Sequence, residues 1–340
     1  MRILVTGGSG FLGTRLVAQL LASGHHVLAL SRSTASQHKL ATMGASPVPG
    51  DLDGRRLELP PVDAVVHAAA HFHVAGPRAE YFRINVDGTR ALLDAASKAG
   101  AKDFIQVSAA GIIMDDRGSP VHRADENTIT QPQSFSPYLA SKAQAEAAVL
   151  AANRSGFRTV ALRPPAIWGP GDMWSRELPR AIVARQFGFI DRGEYAYSTC
   201  HVENLIEAIE CALERGRGGH AYFINDRETV SFRDFVGMVA ALENLSIEKL
   251  PSMPYGLAFL AGQMLEGLWP LLGRAGDPPL SRSLVSMIGR EFTTSDAAAR
   301  RDLGYEGKTS LADGLRLYRS MDPGTSIVEA GQGAFRASLR

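Results

Sequence analysis

Residues 1–21, MRILVTGGSGFLGTRLVAQLL, decide how the rest of the chain is read. Ile3-Leu4-Val5 is an apolar run without polar alternation, the pattern of a strand buried on both faces. Leu12, Leu16 and Leu20, with Val17 and Leu21, then recur at helical spacing. Gly7, Gly8, Gly10 and Gly13 therefore fall on a strand-to-helix turn. Glycine admits positive φ there and lets a ligand approach bare backbone. The helix that follows points free N–H groups and a positive dipole end at the same place, which suits a phosphate. A plain glycine-rich turn would carry the same residues. The strand before and the helix after are the context that favours dinucleotide binding.

Outward from this turn, short apolar runs at 2–6, 26–30, 64–67, 103–107 and 158–162 alternate with helical stretches, notably 79–99 and 135–152. Such alternation implies an α/β fold of the Rossmann type: a doubly wound parallel sheet with helices on both faces. From Pro164 onward the texture changes to more proline, more aromatics and longer irregular stretches. The expected organisation is a dinucleotide-binding domain over 1–165 and a smaller, mostly helical substrate lobe over 166–320, with segments returning to the sheet. A loose tail is expected over 321–340.

The 340 residues are 45% hydrophobic and 21% charged, ordinary values for a globular protein that can bury a large core. The formal net charge is +1 and no long basic run occurs, which argues against nucleic acid as a partner. Cys200 and Cys211 lack metal-ligand spacing and read as small apolar residues in a reducing compartment. The first residues form a strand rather than a signal peptide, so a cytoplasmic protein is expected. Residues 254–273, PYGLAFLAGQMLEGLWPLLG, are very apolar, but Gln263, Glu266 and Pro270 interrupt them. Two readings stand: a helix covering a binding pocket, or an interfacial helix in peripheral contact with a membrane. A homodimer is expected.

In a doubly wound site an acid at the end of the second strand binds the ribose 2′-hydroxyl, whereas an arginine accommodates a 2′-phosphate. Here the strand ends in Ser31-Arg32 with no acid, so NADP(H) is favoured over NAD(H). Asp51 and Leu52 would hold the adenine, as acceptor and apolar wall. Tyr138 and Lys142 stand four apart in a helical segment, hence on one face. An ammonium near a phenol lowers its pKa, so the pair can supply an acid/base near neutrality.

Together these residues resemble the short-chain dehydrogenase/reductase superfamily in its extended branch. The matching pieces are TGGSGFLG (6–13), GDL (50–52), HAAA (67–70), NVDGT (85–89), YLASK (138–142) and LRP (162–164). More narrowly, RPPAIWGPGD, CHVENLIEAIECAL and AYFINDRETVSF are similar to segments of the 3β-hydroxysteroid dehydrogenase-like group. The resemblance implies that Tyr138 is the general acid/base. Lys142 would lower the tyrosine pKa and bind the nicotinamide ribose. Gly7, Gly10, Phe11, Leu12, Gly13, Ala68, Ala69, Ala70, Arg163 and Pro164 would complete the cofactor site with Ser31, Arg32, Asp51 and Leu52. His71, His73, Ala109, Ala110, Ala166 and Trp174 would face the substrate. The two histidines lack the carboxylates or cysteines of a metal site, so no metal is expected.

One departure matters. The family's fifth strand usually ends in two hydroxyl residues, the second of which orients the substrate carbonyl. This chain has Ser108-Ala109. Neighbours on a strand face opposite ways, so Ser108 serves as the catalytic hydroxyl only if the strand end is kinked. The expected function is an oxidoreductase that interconverts a secondary alcohol and a ketone on an apolar substrate: steroid-like, terpenoid or a long-chain β-keto acid. Two alternatives share the cofactor site. One is a nucleotide-sugar epimerase or dehydratase, with Arg176, Arg180 and Arg185 on the diphosphate. The other is a catalytically weak cofactor-binding regulator, motivated by Ala109.

Overall fold

The computed structural model describes residues 1–321 apart from 54–56, 73–76, 270–277 and 279. The expected tail over 321–340 lies, but for its first residue, outside the described residues, and His73 lies outside them entirely. Seven parallel strands form the central sheet: β1 (Arg2–Thr6), β2 (His26–Ser31), β3 (Ser46–Pro49), β4 (Ala64–His67), β5 (Asp103–Val107), β6 (Arg158–Arg163) and β7 (His220–Phe223). Their spatial order is β7-β6-β5-β4-β1-β2-β3. The order reverses between β1 and β4, which opens a crevice at the carboxyl ends of those two strands, where ligands of this architecture bind.

Both sheet faces are buried, which explains the unbroken apolar runs. Ile3, Val5, Ile105 and Val107 pack on one side with α1 (Phe11–Ala22) and α6 (Val202–Arg215). Leu4, Val65 and Phe104 pack on the other with α3 (Gly88–Lys98) and α4 (Pro137–Ala151). Two further α-helices are used below, α2 (Thr34–Thr42) and α5 (Met173–Val183). The stretch expected as one helix over 79–99 is divided. A turn of α-helix (Arg78–Tyr81) and a π-helical turn (Phe82–Asp87) precede α3.

The lobe has its own aromatic core, with Trp168, Phe189, Tyr197, Phe232, Phe235 and Phe292. Its helices are joined by short strands. Four short strands form a second sheet, in which Val121–Ala124 from the first half of the chain pairs with Phe292–Thr294 from the last third. From later in the chain, β7 pairs with β6 of the main sheet and α6 packs on it. The apolar stretch forms α7 (Tyr255–Leu268), which packs on α8 (Arg282–Ile288) through Ala258 and Val285. Its other face leaves Leu257, Leu260, Met264 and Leu268 exposed. Among the described residues no helix is long and apolar enough to cross a membrane.

Candidate active site

The glycine turn is shaped by close approach. Gly7 has φ +73°, and a Cβ there would lie 2.9 Å from the Ala69 nitrogen. A Cβ on Gly13 would lie 2.0 Å from the Gly7 carbonyl oxygen, so α1 can start this near β1 only with glycine at that position. The cleft over this turn has a volume of about 620 Å³. Gly7, Gly10, Ser31, Arg32, Asp51 and Leu52 line it, as do Ala68, Ala69 and Ala70. Leu12, Gly13, Lys142 and Arg163 do not. His71, expected at the substrate, lines this cleft instead.

Arg32 is exposed at the cleft, and among the described residues Asp51 is its only acidic lining residue. Ser33 caps α2 by accepting from the Ser36 nitrogen, so hydroxyls and a helix N-terminus flank the guanidinium. Ser31 Oγ is buried with no hydrogen-bond partner among the described residues. A buried hydroxyl left unpaired is costly, so this one suits an incoming polar group.

A second, apolar space of about 370 Å³ adjoins the cleft, and Phe72 lines both. Tyr138, Phe11, Ala109, Pro164, Ala166 and Trp174 line it too. The Phe72 ring meets Tyr138 edge-on at 4.8 Å between centroids. Helix α8 contributes Leu284, Met287 and Ile288 to the wall, and α7 packs on α8.

Ser108 and Ala110 do not line this space. The reason is the regular ladder. The Ser108 nitrogen donates to the Leu162 carbonyl at 2.7 Å and the Ala110 nitrogen to that of Pro164 at 2.8 Å. Alternate residues keep bonding to the neighbouring strand, so the strand end is not kinked and the two neighbours face opposite ways. Ala109 faces the cavity. Ser108 Oγ is buried without a hydrogen-bond partner among the described residues and does not line Tyr138's cavity, which removes the geometric basis for Ser108 as the catalytic hydroxyl. Ser136, which sequence reasoning passed over, does line the cavity. Its Oγ accepts from the Leu139 nitrogen as the cap of α4 and keeps its own proton to donate.

Beneath both spaces runs a buried hydrogen-bond chain. Thr89 Oγ1 donates to the Asn85 carbonyl at 2.6 Å, so it must accept from His67 Nε2 at 2.9 Å. Nδ1 of His67 then accepts from Thr6 Oγ1 at 2.7 Å, and Thr6 in turn accepts from the Ala69 nitrogen. Burial, with the Lys142 ammonium nearby, lowers the His67 pKa to about 3, so this neutral tautomer persists at ordinary pH. The π-turn presents the Asn85 amide to both sides: Oδ1 accepts from the His71 nitrogen at 2.7 Å, and Nδ2 donates to Ser141 Oγ at 3.0 Å. The chain thus ties the end of β1 to the helix that carries Tyr138. Asn85 stood inside a recognised motif, but nothing in its spacing announced this role.

Burial pushes the Tyr138 phenol up to about 12. Lys142 does not offset this, contrary to the expectation, because its Nζ donates to the Val107 carbonyl at 2.7 Å. Burial also brings the Lys142 ammonium down to about 8, partly opposed by Glu146 one turn on. Glu146 is itself paired with Arg163 at 2.7 Å, both nearly fully buried. Arg163 therefore braces α4 against β6 from behind the cofactor wall. His201 caps α6, and its ring meets Trp168 edge-on at 4.6 Å, which gives it a structural role. Among the described residues no group of His, Cys, Asp or Glu is arranged to hold a metal ion.

The profile of the 3-beta hydroxysteroid dehydrogenase/isomerase family matches residues 4–253. The chain is 38% identical over 338 residues to the 4-hydroxy-2-methyl-3-oxo-4-farnesyl-3,4-dihydroquinoline-1-oxide ketoreductase of Stigmatella aurantiaca, covering 98% of each chain. It is 36% identical to the 2-alkyl-3-oxoalkanoate reductase of Stenotrophomonas maltophilia, covering 94% of this chain and 99% of that one. Among solved structures, MoeE5 in complex with UDP-glucuronic acid and NAD superposes with a TM-score of 0.68 at 26% identity, over 93% of this chain and 97% of that one. The Rossmann sheet, the glycine cleft and the Tyr138 cavity agree with these matches: the chain belongs to the 3-beta hydroxysteroid dehydrogenase/isomerase family of extended short-chain dehydrogenase/reductases and is an oxidoreductase.

Proposed function

We propose that the protein interconverts a secondary alcohol and a ketone on an apolar substrate, using NADP(H). The observation that carries this reading is the shared Phe72 wall, which puts an apolar cavity with Tyr138 in it beside a cleft built for a dinucleotide. The fit to a nicotinamide dinucleotide rests on the cradle that side chains at Gly7 and Gly13 would fill, and on the orphaned Ser31 hydroxyl. MoeE5, with NAD bound, supports the cofactor class. The exposed Arg32, with Ser33 and Ser36 beside it and no acid at the end of β2, supports a 2′-phosphate. Ketoreductase relatives support the reaction.

A bound nicotinamide supplies or takes up the hydride. Tyr138 moves the proton, giving its phenolic hydrogen to the ketone oxygen in reduction and taking it from the alcohol in oxidation. A phenol near 12 gives a proton readily only to an oxygen that is itself becoming an alkoxide, so reduction suits the site as it stands. Lys142, freed from Val107, would hold positive charge beside that phenol. Asn85, Ser141 and the Arg163–Glu146 pair orient α4. The apolar walls exclude water. Ser136, two residues before Tyr138 and in the cavity wall, is a hydroxyl that would replace the donor that Ala109 lacks.

Ala109 also favours the second reading, a cofactor-binding protein with feeble turnover. A panel assay separates the possibilities. NADPH consumption with apolar ketones and none with nucleotide sugars is the expected result. Turnover of a nucleotide sugar instead, or tight NADPH binding with no turnover on any ketone, would overturn the proposal.

A further inference from the structure

The apolar cavity contains one charge that the chemistry above leaves unused. Among the described residues two charged side chains line it, Asp172 and Arg176. Asp172 is 1% exposed and its carboxylate is consumed inside the protein. One oxygen accepts from the Ser175 nitrogen at 2.6 Å; the other accepts from the Gly169 nitrogen at 2.7 Å and from the Tyr318 hydroxyl. Arg176, in the first turn of α5, differs. Its Nε donates to the Asp172 carbonyl oxygen at 3.0 Å, which fixes the plane of the guanidinium. Its two Nη groups have no partner among the described residues, and the side chain reaches solvent. An arginine in this state presents a two-pronged donor at the rim of an otherwise apolar space.

How many charges the rim supplies sets what it can bind. A diphosphate brings at least two negative charges and needs several cations. Arg180 turns to Glu177 at 3.4 Å, Arg185 sits past the end of α5 with φ +56°, and neither lines the cavity. The three-arginine set expected for a nucleotide sugar is therefore not assembled there. One guanidinium with a free fork matches one carboxylate.

We propose that Arg176 is a carboxylate subsite, so that the substrate is an apolar alcohol or ketone bearing a single acidic group. The inference rests on the alcohol–ketone reading above and narrows its substrate class. It makes Arg176 a specificity-determining residue, with the apolar walls holding the chain and the guanidinium holding the acid.

The test compares an acid with its neutral twin. A 2-alkyl-3-hydroxyalkanoate and its methyl ester are offered to the wild-type protein and to Arg176→Gln, with NADP+ and NAD+ each supplied. The wild type should favour the acid in kcat/KM by about tenfold or more, the scale of a charge-assisted bidentate contact at a partly wet rim. Arg176→Gln should bring the acid-to-ester ratio to about one, and Arg176→Lys should restore part of it. An unchanged ratio in Arg176→Gln would overturn the subsite, as would a wild type that prefers the ester. A wild type that turns over other apolar alcohols but neither of these compounds overturns the subsite alone. One that turns over no alcohol or ketone overturns the underlying reading.

Discussion

The cofactor cleft and the apolar cavity share Phe72 yet are built in opposite ways. The cleft is made of backbone turns and short side chains at the ends of β1, β2 and β4, each supplied by a contiguous motif. The cavity is made of large side chains from α4, α5, α8 and the strand Phe292–Thr294, which are far apart in the chain. One space is fixed by local conformation and the other by tertiary packing. On the proposed function, the first space would hold the cofactor and the second the substrate. Changes in the cleft should therefore alter the cofactor and spare substrate preference, with the reverse for the cavity.

The largest effect expected from such a separation is at Arg32. Arg32→Ala should weaken NADPH binding by about 1.5–3 kcal/mol, the worth of hydrogen bonds to a charged group, and leave NADH binding nearly untouched. Titration of both cofactors by fluorescence checks this. Equal losses for the two would break the assignment of the cleft.

A second prediction probes the floor that joins the two spaces. The His67 pKa is lowered in the folded protein to about 3 from an ordinary 6.5. Between those values the unfolded chain binds a proton that the native protein refuses. Stability from this group is thus fully present above pH 6.5 and is lost as pH falls, by about 1.4 kcal/mol per unit for one proton. In His67→Asn the acid limb of a denaturation-against-pH profile should be shallower by up to that slope. Identical limbs would mean that His67 does not titrate differently in the two states.

The smallest effect is expected where the cavity lacks a donor. Ala109→Ser places a hydroxyl near Tyr138 without supporting partners, so turnover should rise by about tenfold or less. Ser108→Ala, on the other face of the strand, should not mimic its loss or gain. Turnover abolished by Ser108→Ala would show that the strand end rearranges when substrate binds.

What was legible in the sequence follows the same division. The turn from β1 to α1 could be read because a buried strand, a run of glycines and an amphipathic helix each signal their own conformation. Tyr138 and Lys142 could be placed on one face because helical spacing fixes it. Lys142's bond to the Val107 carbonyl could not, since it depends on how α4 lies across β5. The pairing of Val121–Ala124 with Phe292–Thr294 was equally hidden, because short strands carry little periodicity and their partners are remote. Asn85 shows both sides: its motif was visible, while its amide's two contacts depend on a π-turn that helical periodicity does not reveal.

The central claim is that a dinucleotide in one space reacts, through Tyr138, with an apolar ketone in the other. Tyr138→Phe tests it most directly, because the ring is kept and only the transferable proton is removed. The account predicts NADPH affinity within about twofold of wild type and a fall in ketone turnover of about 10² or more, the range of general acid–base contributions. Wild-type turnover in Tyr138→Phe would contradict it, since the proton would then come from elsewhere.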